Sequence, residues 1–184
     1  MSEWVSSTGK KLRLIRGDIT QVCADAIVNA ANSSLAGGGG VDGAIHRAAG
    51  PSLMAELDGI RAKTGRCPAG KAVVTGAGRL QAQIVIHAVG PVYRGGDSGE
   101  AELLASCYRE SLALAAGRDL RSVAFPAIST GIFGYPLREA AEIATREVRA
   151  FLETASSIDE VLFVLFGVEA LEVFRGAIED GQDK

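Results

Sequence analysis

Five short runs in this chain are apolar at nearly every position, not at every second one: Ala26–Ala30, Lys71–Thr75, Ile84–Ala88, Ser122–Phe125 and Val161–Phe166. Alternation marks a strand with one wet face, whereas near-continuous Val, Ile, Leu and Ala marks a strand covered on both faces. Together with a sixth run, Leu12–Ile15, they read as the strands of an enclosed sheet. The cover must come from the stretches between them. Ser98–Gly117 carries Leu103, Leu104, Cys107, Leu112 and Leu114, and Leu137–Leu152 repeats Ala140, Ile143, Ala144, Val148 and Phe151 at a helical period. Gly117 stands where the first helix should stop and Pro136 where the second should start. Ala44–Ala49 also reads as helical. Strands alternating with helices predict a layered α/β domain with a substantially parallel sheet.

The chain has 184 residues, enough for one domain with a real core, and no repeat or linker divides it. A single domain over 1–184 is expected, with about 1–10 and 179–184 peripheral or frayed. A net charge of −3 argues against a broad basic surface for nucleic acid. It leaves room for an anionic small ligand held by backbone N–H groups. Three widely spaced cysteines and two histidines make neither a disulfide framework nor a zinc-ligand pattern, so no metal or cofactor is expected and a reducing, cytoplasmic setting is the default. The N-terminal residues lack the apolar stretch of a signal peptide, and the longest apolar run, Val161–Phe166, is far too short to span a bilayer.

In such sheets ligands sit beyond the C-terminal ends of the strands. Three segments fall there. Asn29 to Gly43 follows a strand and holds four consecutive glycines, Gly37 to Gly40, grouped with Asn29, Asn32 and Asp42. Glycines alone could be a flexible turn, but they also let a backbone approach a ligand closely, and a turn does not need the polar trio. Pro126 to Pro136 opens a helix, where backbone donors favour an anion, and Phe133 between glycines suits stacking on a sugar or base. Arg16-Gly17-Asp18-Ile19-Thr20 follows the first strand. By itself Asp18 is better read as a helix cap than as a base contact. His46, four residues after Asp42, makes a dyad conceivable, although a lone helical histidine is more often structural. His87, inside an apolar strand, reads as a satisfied core residue. Walker-type and nucleophile-elbow motifs are absent.

Taken jointly, Gly17-Asp18-Ile19-Thr20, Ala26 to Pro51 with its Asn29, Asn32, glycine run and Asp42, Ile86-His87-Ala88-Val89-Gly90-Pro91, and Ser129-Thr130-Gly131-Ile132-Phe133-Gly134 resemble the MacroD-type macrodomains over nearly the whole chain. The resemblance implies a three-layer α/β/α fold with a mixed central sheet and a cleft for ADP-ribose. It implies removal of ADP-ribose from acidic side chains of modified proteins and deacetylation of O-acetyl-ADP-ribose, with ADP-ribosylated proteins as partners. Carried over position by position, Asp18 receives the adenine amino group with the Ile19 N–H nearby, and Phe166 packs by the adenine. Asn29, Gly39, Gly40, Val41 and Gly43 line the first loop. Ser129, Thr130, Gly131, Ile132 and Phe133 form the second. Asn32 and Asp42 are the pair associated with catalysis. Phenylalanine at 133 retains ring stacking but brings no phenol hydroxyl. Two other readings stay open: a module that reads ADP-ribose without cleaving it, and a phosphatase acting on ADP-ribose with a terminal phosphate.

Overall fold

A computed structural model describes residues 2–181. Seven strands and five helices follow in the order β1 (Glu3–Val5), β2 (Lys11–Arg16), a 3-10 turn (Ile19–Gln21), β3 (Ala26–Ala31), α1 (Gly40–Ala49), α2 (Ser52–Thr64), β4 (Ala72–Gly76), β5 (Ile84–Val89), α3 (Glu100–Ala116), β6 (Ser122–Phe125), α4 (Leu137–Leu152), β7 (Glu160–Leu165) and α5 (Val168–Asp180). The sheet order is β1-β2-β7-β6-β3-β5-β4. The five inner strands, β2, β7, β6, β3 and β5, are mutually parallel, and β1 and β4 pair antiparallel at the two edges. The mixed sheet is therefore confirmed, with its parallel part at the centre.

Each inner strand divides its side chains between two cores, as strand pleating requires. From β3, Ala26 and Val28 enter one core and Ile27 the other; from β7, Val161, Phe163 and Leu165 oppose Leu162 and Val164. The first core is closed by α3, α4 and α5 through Leu104, Leu112, Val148 and Phe174; the second by α1 and α2 through Ile45 and Leu53. This is the physical reason the strands read as continuously apolar. Burying one Leu, Ile or Phe contributes about 1.5–3 kcal/mol, so both faces must be covered for the sheet to form.

Three elements were not legible. Glu3–Val5 lies in the segment expected to be peripheral, yet it pairs with β2, and Trp4 lies under the Arg149 guanidinium, 4.8 Å from ring centroid to Cζ. Helix α2 buries Leu53 and Leu57 only, too sparse a stripe to show as a period. Helix α5 buries Phe174 and Ile178 and runs to Asp180, so residues 179–180 are helical, not frayed. Residues 182–184 lie outside the described residues. Strand β4, expected to be covered on both faces, is the antiparallel edge strand, and Ala72, Val73 and Val74 are half-buried. Helix α1 begins at Gly40 instead of Ala44. Glycines are tolerated there because the first-turn N–H groups need no intrahelical acceptor.

One feature of the register positions the site. β3 pairs with β5 along all six residues but with β6 only at Ala26–Val123 and Ile27–Ala124. Beyond that point β3 and β6 diverge. The loops after Ala31 and after Phe125 leave the sheet on either side of the resulting crevice.

Candidate functional site

All five parallel strands point their C-terminal ends to the same edge, so Gly17-Asp18, Asn32, Gly90, Pro126 and Phe166 emerge together. The three segments singled out in the sequence meet there, as a parallel sheet dictates.

Asp18 caps the 3-10 turn. Its Oδ1 accepts from Thr20 N (2.9 Å) and Thr20 Oγ1 (2.7 Å), and Ile19 is buried beneath it. The cap reading is correct, and the second carboxylate oxygen accepts no hydrogen bond among the described residues. Across the sheet, Gly17 N donates to Leu165 O (3.0 Å), which fixes Asp18 beside Phe166. Phe166 is 84% exposed.

In the first loop, Asn32 shapes the backbone. Its Nδ2 donates to Gly37 O (2.8 Å), and its Oδ1 accepts from Ser34 Oγ (2.6 Å). Gly39 is the N-cap of α1 and offers no side-chain cap, so the first-turn N–H groups of Gly40, Val41 and Asp42 keep no capping acceptor. Gly43 could not be another residue: a Cβ there would fall 2.7 Å from Gly38 O. Asn32 and Asp42 converge on one place. A methyl group at Gly38 would lie 3.6 Å from Asn32 Nδ2 and 3.5 Å from Asp42 Oδ2.

Asp42 is 6% exposed and is held from below. Asn29 Nδ2 donates to Asp42 Oδ1 (2.7 Å) and to His87 Nδ1 (3.1 Å). A carboxylate accepts only, which fixes the Asn29 amide with its nitrogen toward Asp42. His87 Nδ1 is then an acceptor, and the ring proton sits on Nε2, donated to Thr75 Oγ1 (2.9 Å), whose hydroxyl donates to Gly76 O (2.8 Å). Burial, reinforced by the nearby His46, pushes the His87 pKa down to about 3, so the ring is neutral and only this tautomer fits. His46 Nε2 lies 3.3 Å from Asp42 Oδ1 without the alignment of a hydrogen bond. Asn29 was expected among the ligand contacts. Fully buried, it links Asp42 to His87. His87 is the satisfied core residue that its strand implied, and the partner it satisfies was not legible.

The second loop is strained. Ser129 has φ of 66°, rare for a residue with a Cβ, and its buried Oγ has no hydrogen-bond partner among the described residues; nor has Asn29 Oδ1. Thr130, Gly134 and Tyr135 donate their N–H groups to Ala127, Gly131 and Ser129. The N–H groups of Gly131, Ile132 and Phe133 have no backbone acceptor among the described residues. Gly90 makes room for this turn: a Cβ there would lie 2.1 Å from Ser129 Oγ and 2.7 Å from Ile128 Cγ2. Ile132 is 91% exposed and Phe133 half-buried.

Two further residues were missed. Glu100, 2% exposed at the start of α3, accepts from the N–H groups of Arg94 (3.2 Å), Gly96 (2.7 Å) and Ser98 (2.6 Å). Desolvation raises its pKa, and the N–H bonds more than offset that, leaving it below the usual carboxylate value. Tyr93 N donates to Phe133 O (2.8 Å), tying this segment to the second loop. Between them lies a cavity of about 330 Å³, bordered by Ser33, Gly90, Arg94 and Phe133. Only three N–H groups folding back on one carboxylate would have revealed Glu100, and a sequence does not display that.

The Macro domain family model matches residues 28–144. A Macro domain-containing protein of Caldanaerobacter subterraneus subsp. tengcongensis is 56% identical over 171 residues, covering 93% of this chain and 97% of that protein. An O-acetyl-ADP-ribose deacetylase of Klebsiella pneumoniae is 57% identical over 162 residues, covering 88% and 93%. Among solved structures, the Oceanobacillus iheyensis macrodomain with ADP superposes with a TM-score of 0.94 at 37% identity, covering 99% of this chain and 96% of that one. The Trypanosoma brucei macrodomain in complex with ADP-ribose gives 0.82 at 41% identity, covering 91% and 68%.

Proposed function

The chain belongs to the Macro domain family, and from that premise we propose that it binds ADP-ribose in the crevice between β3 and β6 and hydrolyses acyl esters of the distal ribose. Asp18, through its spare carboxylate oxygen, receives the adenine amino group beside the Ile19 N–H, and Phe166 covers the base. The diphosphate lies between the N–H groups of Gly39, Gly40 and Val41, with Gly43 allowing the close turn, and those of Ser129 to Phe133. Two helix-and-loop termini supply these donors, so a chain of net charge −3 needs no lysine for the anion. Asn32 and Asp42 hold the distal ribose and the attacking water. Water adds to the acyl carbon, the bond from that carbon to the ribose oxygen breaks, and the ribose oxygen takes the proton. The products are a carboxylic acid and free ADP-ribose hydroxyl.

The observation that carries this reading is the support beneath Asp42. A carboxylate 6% exposed is costly unless it is hydrogen-bonded, and here Asn29 supplies that bond to Oδ1 while Oδ2 and the Asn32 amide both lie beside Gly38. A module that only reads ADP-ribose does not need a buried carboxylate held on a three-residue relay. A base needs one, oriented and partly desolvated. The named relatives that deacetylate O-acetyl-ADP-ribose support the same chemistry. ADP-ribose esterified to a protein glutamate presents the same bond with a larger acyl group, and we include it as substrate.

The test is to incubate the protein with O-acetyl-ADP-ribose and, separately, with a glutamate-ADP-ribosylated peptide, following free ADP-ribose. Release from the acetyl ester is expected, and Asn32→Ala should lower its turnover more than it weakens ADP-ribose binding. Tight binding without release from either ester would establish the reader instead.

A further inference from the structure

Within the proposed function, the acyl half of the ester requires a place, and the ADP-ribose residues do not provide one. The cavity of about 330 Å³ is bordered by both loops of the crevice: Ser33 follows Asn32 in the chain, and Phe133 closes the second loop, while Asn32 and Asp42 themselves do not line it. None of Asp18, Gly39, Val41, Ile132 or Phe166 borders it. It is a separate compartment sharing one wall with the site. Its sides are Ala69, Val89, Pro91, Val92 and Leu103, which suit a short methylene chain, and an acetyl group would occupy little of it.

The cavity is preformed. Its outer wall is the segment from Arg94 to Ser98, and the Glu100 carboxylate clasps three N–H groups of that segment. Those bonds hold Glu100 ionised and turn its oxygens toward the loop backbone. At the rim, the exposed Arg94 side chain has no ion pair or hydrogen bond among the described residues. Arg66 approaches from the other side, donating from Nη2 to Ser33 Oγ (2.8 Å), and no carboxylate neutralises it among the described residues. Arg109 pairs with Glu147 (3.0 Å) and Arg13 with Glu160 (2.7 Å), whereas Arg16, Arg47, Arg79, Arg118 and Arg149, like Arg94 and Arg66, form no ion pair among the described residues. Two arginines without acidic partners thus flank an apolar compartment in a net acidic protein.

We infer that this cavity is the acyl subsite, that it receives the side chain of an ester-linked glutamate or aspartate, and that Arg94 and Arg66 engage acidic residues flanking the modified position in the peptide. The methylene stem lies against Pro91 and Leu103, the ester carbonyl faces Asn32 and Asp42, and the peptide leaves past Arg94. The substrate class is therefore an acidic peptide or acidic protein segment, in preference to the acetyl ester alone.

The experiment compares kcat/KM for two esters, O-acetyl-ADP-ribose and ADP-ribose on the glutamate of a short acidic peptide, in the wild type, Arg94→Glu and Arg94→Lys. Charge reversal at an exposed pair should lower the ratio of peptide ester to acetyl ester by about fivefold or more, while the lysine variant keeps the wild-type ratio. A ratio unchanged by Arg94→Glu overturns the subsite. So does a wild type that cleaves the acetyl ester and not the peptide ester, an outcome that leaves the deacetylase reading intact. Cleavage of neither ester, with ADP-ribose still bound, removes the proposed hydrolysis itself and the subsite with it.

Discussion

Asn29 occupies the position where stability and chemistry are hardest to separate. Its amide nitrogen serves Asp42 on one side and His87 on the other, and the second bond requires His87 to be neutral. Protonating the ring would set an N–H against the Asn29 N–H. The folded-state pKa of about 3 lies below the unfolded value of 6.5, so the unfolded chain binds the extra proton first as pH falls. The stability contributed by neutral His87 is thus complete above about pH 6.5 and is lost between there and pH 3. The loss is on the order of 5 kcal/mol. Denaturant unfolding at pH 7 and pH 4 should show roughly two thirds of it, and His87→Asn, which removes the titrating ring, should lessen the difference between the two. A wild-type and variant difference of the same size would exclude His87 as its source. His46, with its ring 6.1 Å away, and Asp42 face the same group, so the variant comparison is the informative quantity.

At the scale of elements, the site depends on two turns that pack against each other. The turn at Ser129 holds a positive φ, and Gly90 at the end of β5 gives its hydroxyl room. Gly90→Ala places a methyl group inside that contact, so Ser129 or Ile128 must move. An overpacked contact of this kind costs about 1–3 kcal/mol. Calorimetry should find a lowered Tm together with weaker ADP-ribose binding, because the displaced atoms belong to the second loop. Wild-type affinity would show that the turn does not contact the ligand. The strands were legible because burial on both faces leaves a composition signal in a few residues, and Leu137–Leu152 because its stripe is dense. Helix α2 was not, since two leucines suffice to dock it on a sheet edge. Strand β1 was not, since three residues carry no period; its pairing with β2 and the Arg149–Trp4 contact hold it.

For the whole molecule, the placement of the candidate site residues at one sheet edge followed from sequence, because parallel strands must end together. The roles within that cluster did not. Asp18 and the two glycine loops were identified by type, but the relay from Asp42 through Asn29 and His87 to Thr75 joins residues up to 58 apart in sequence for one bond. Glu100 resembles any helix-starting carboxylate until its loop folds back on it. A ligand that bridges the loops on both sides of the crevice should stabilise the entire fold. At a concentration one hundred times its Kd, ADP-ribose adds about 2.7 kcal/mol and raises Tm by roughly 5–10 °C in a domain of this size. Phe166→Ala should reduce that rise at fixed ligand concentration, as read by thermal unfolding with and without ligand. An undiminished rise would place the base elsewhere.

The central claim is that Asp42, supported by Asn29, serves the transition state more than it serves binding. The most direct measurement pairs the turnover of O-acetyl-ADP-ribose with the calorimetric Kd for ADP-ribose in the wild type and Asp42→Ala. Loss of a positioned base should lower kcat by about a hundredfold or more while Kd changes by less than tenfold. Equal losses in kcat and affinity, or a variant that turns over like the wild type, would contradict the account.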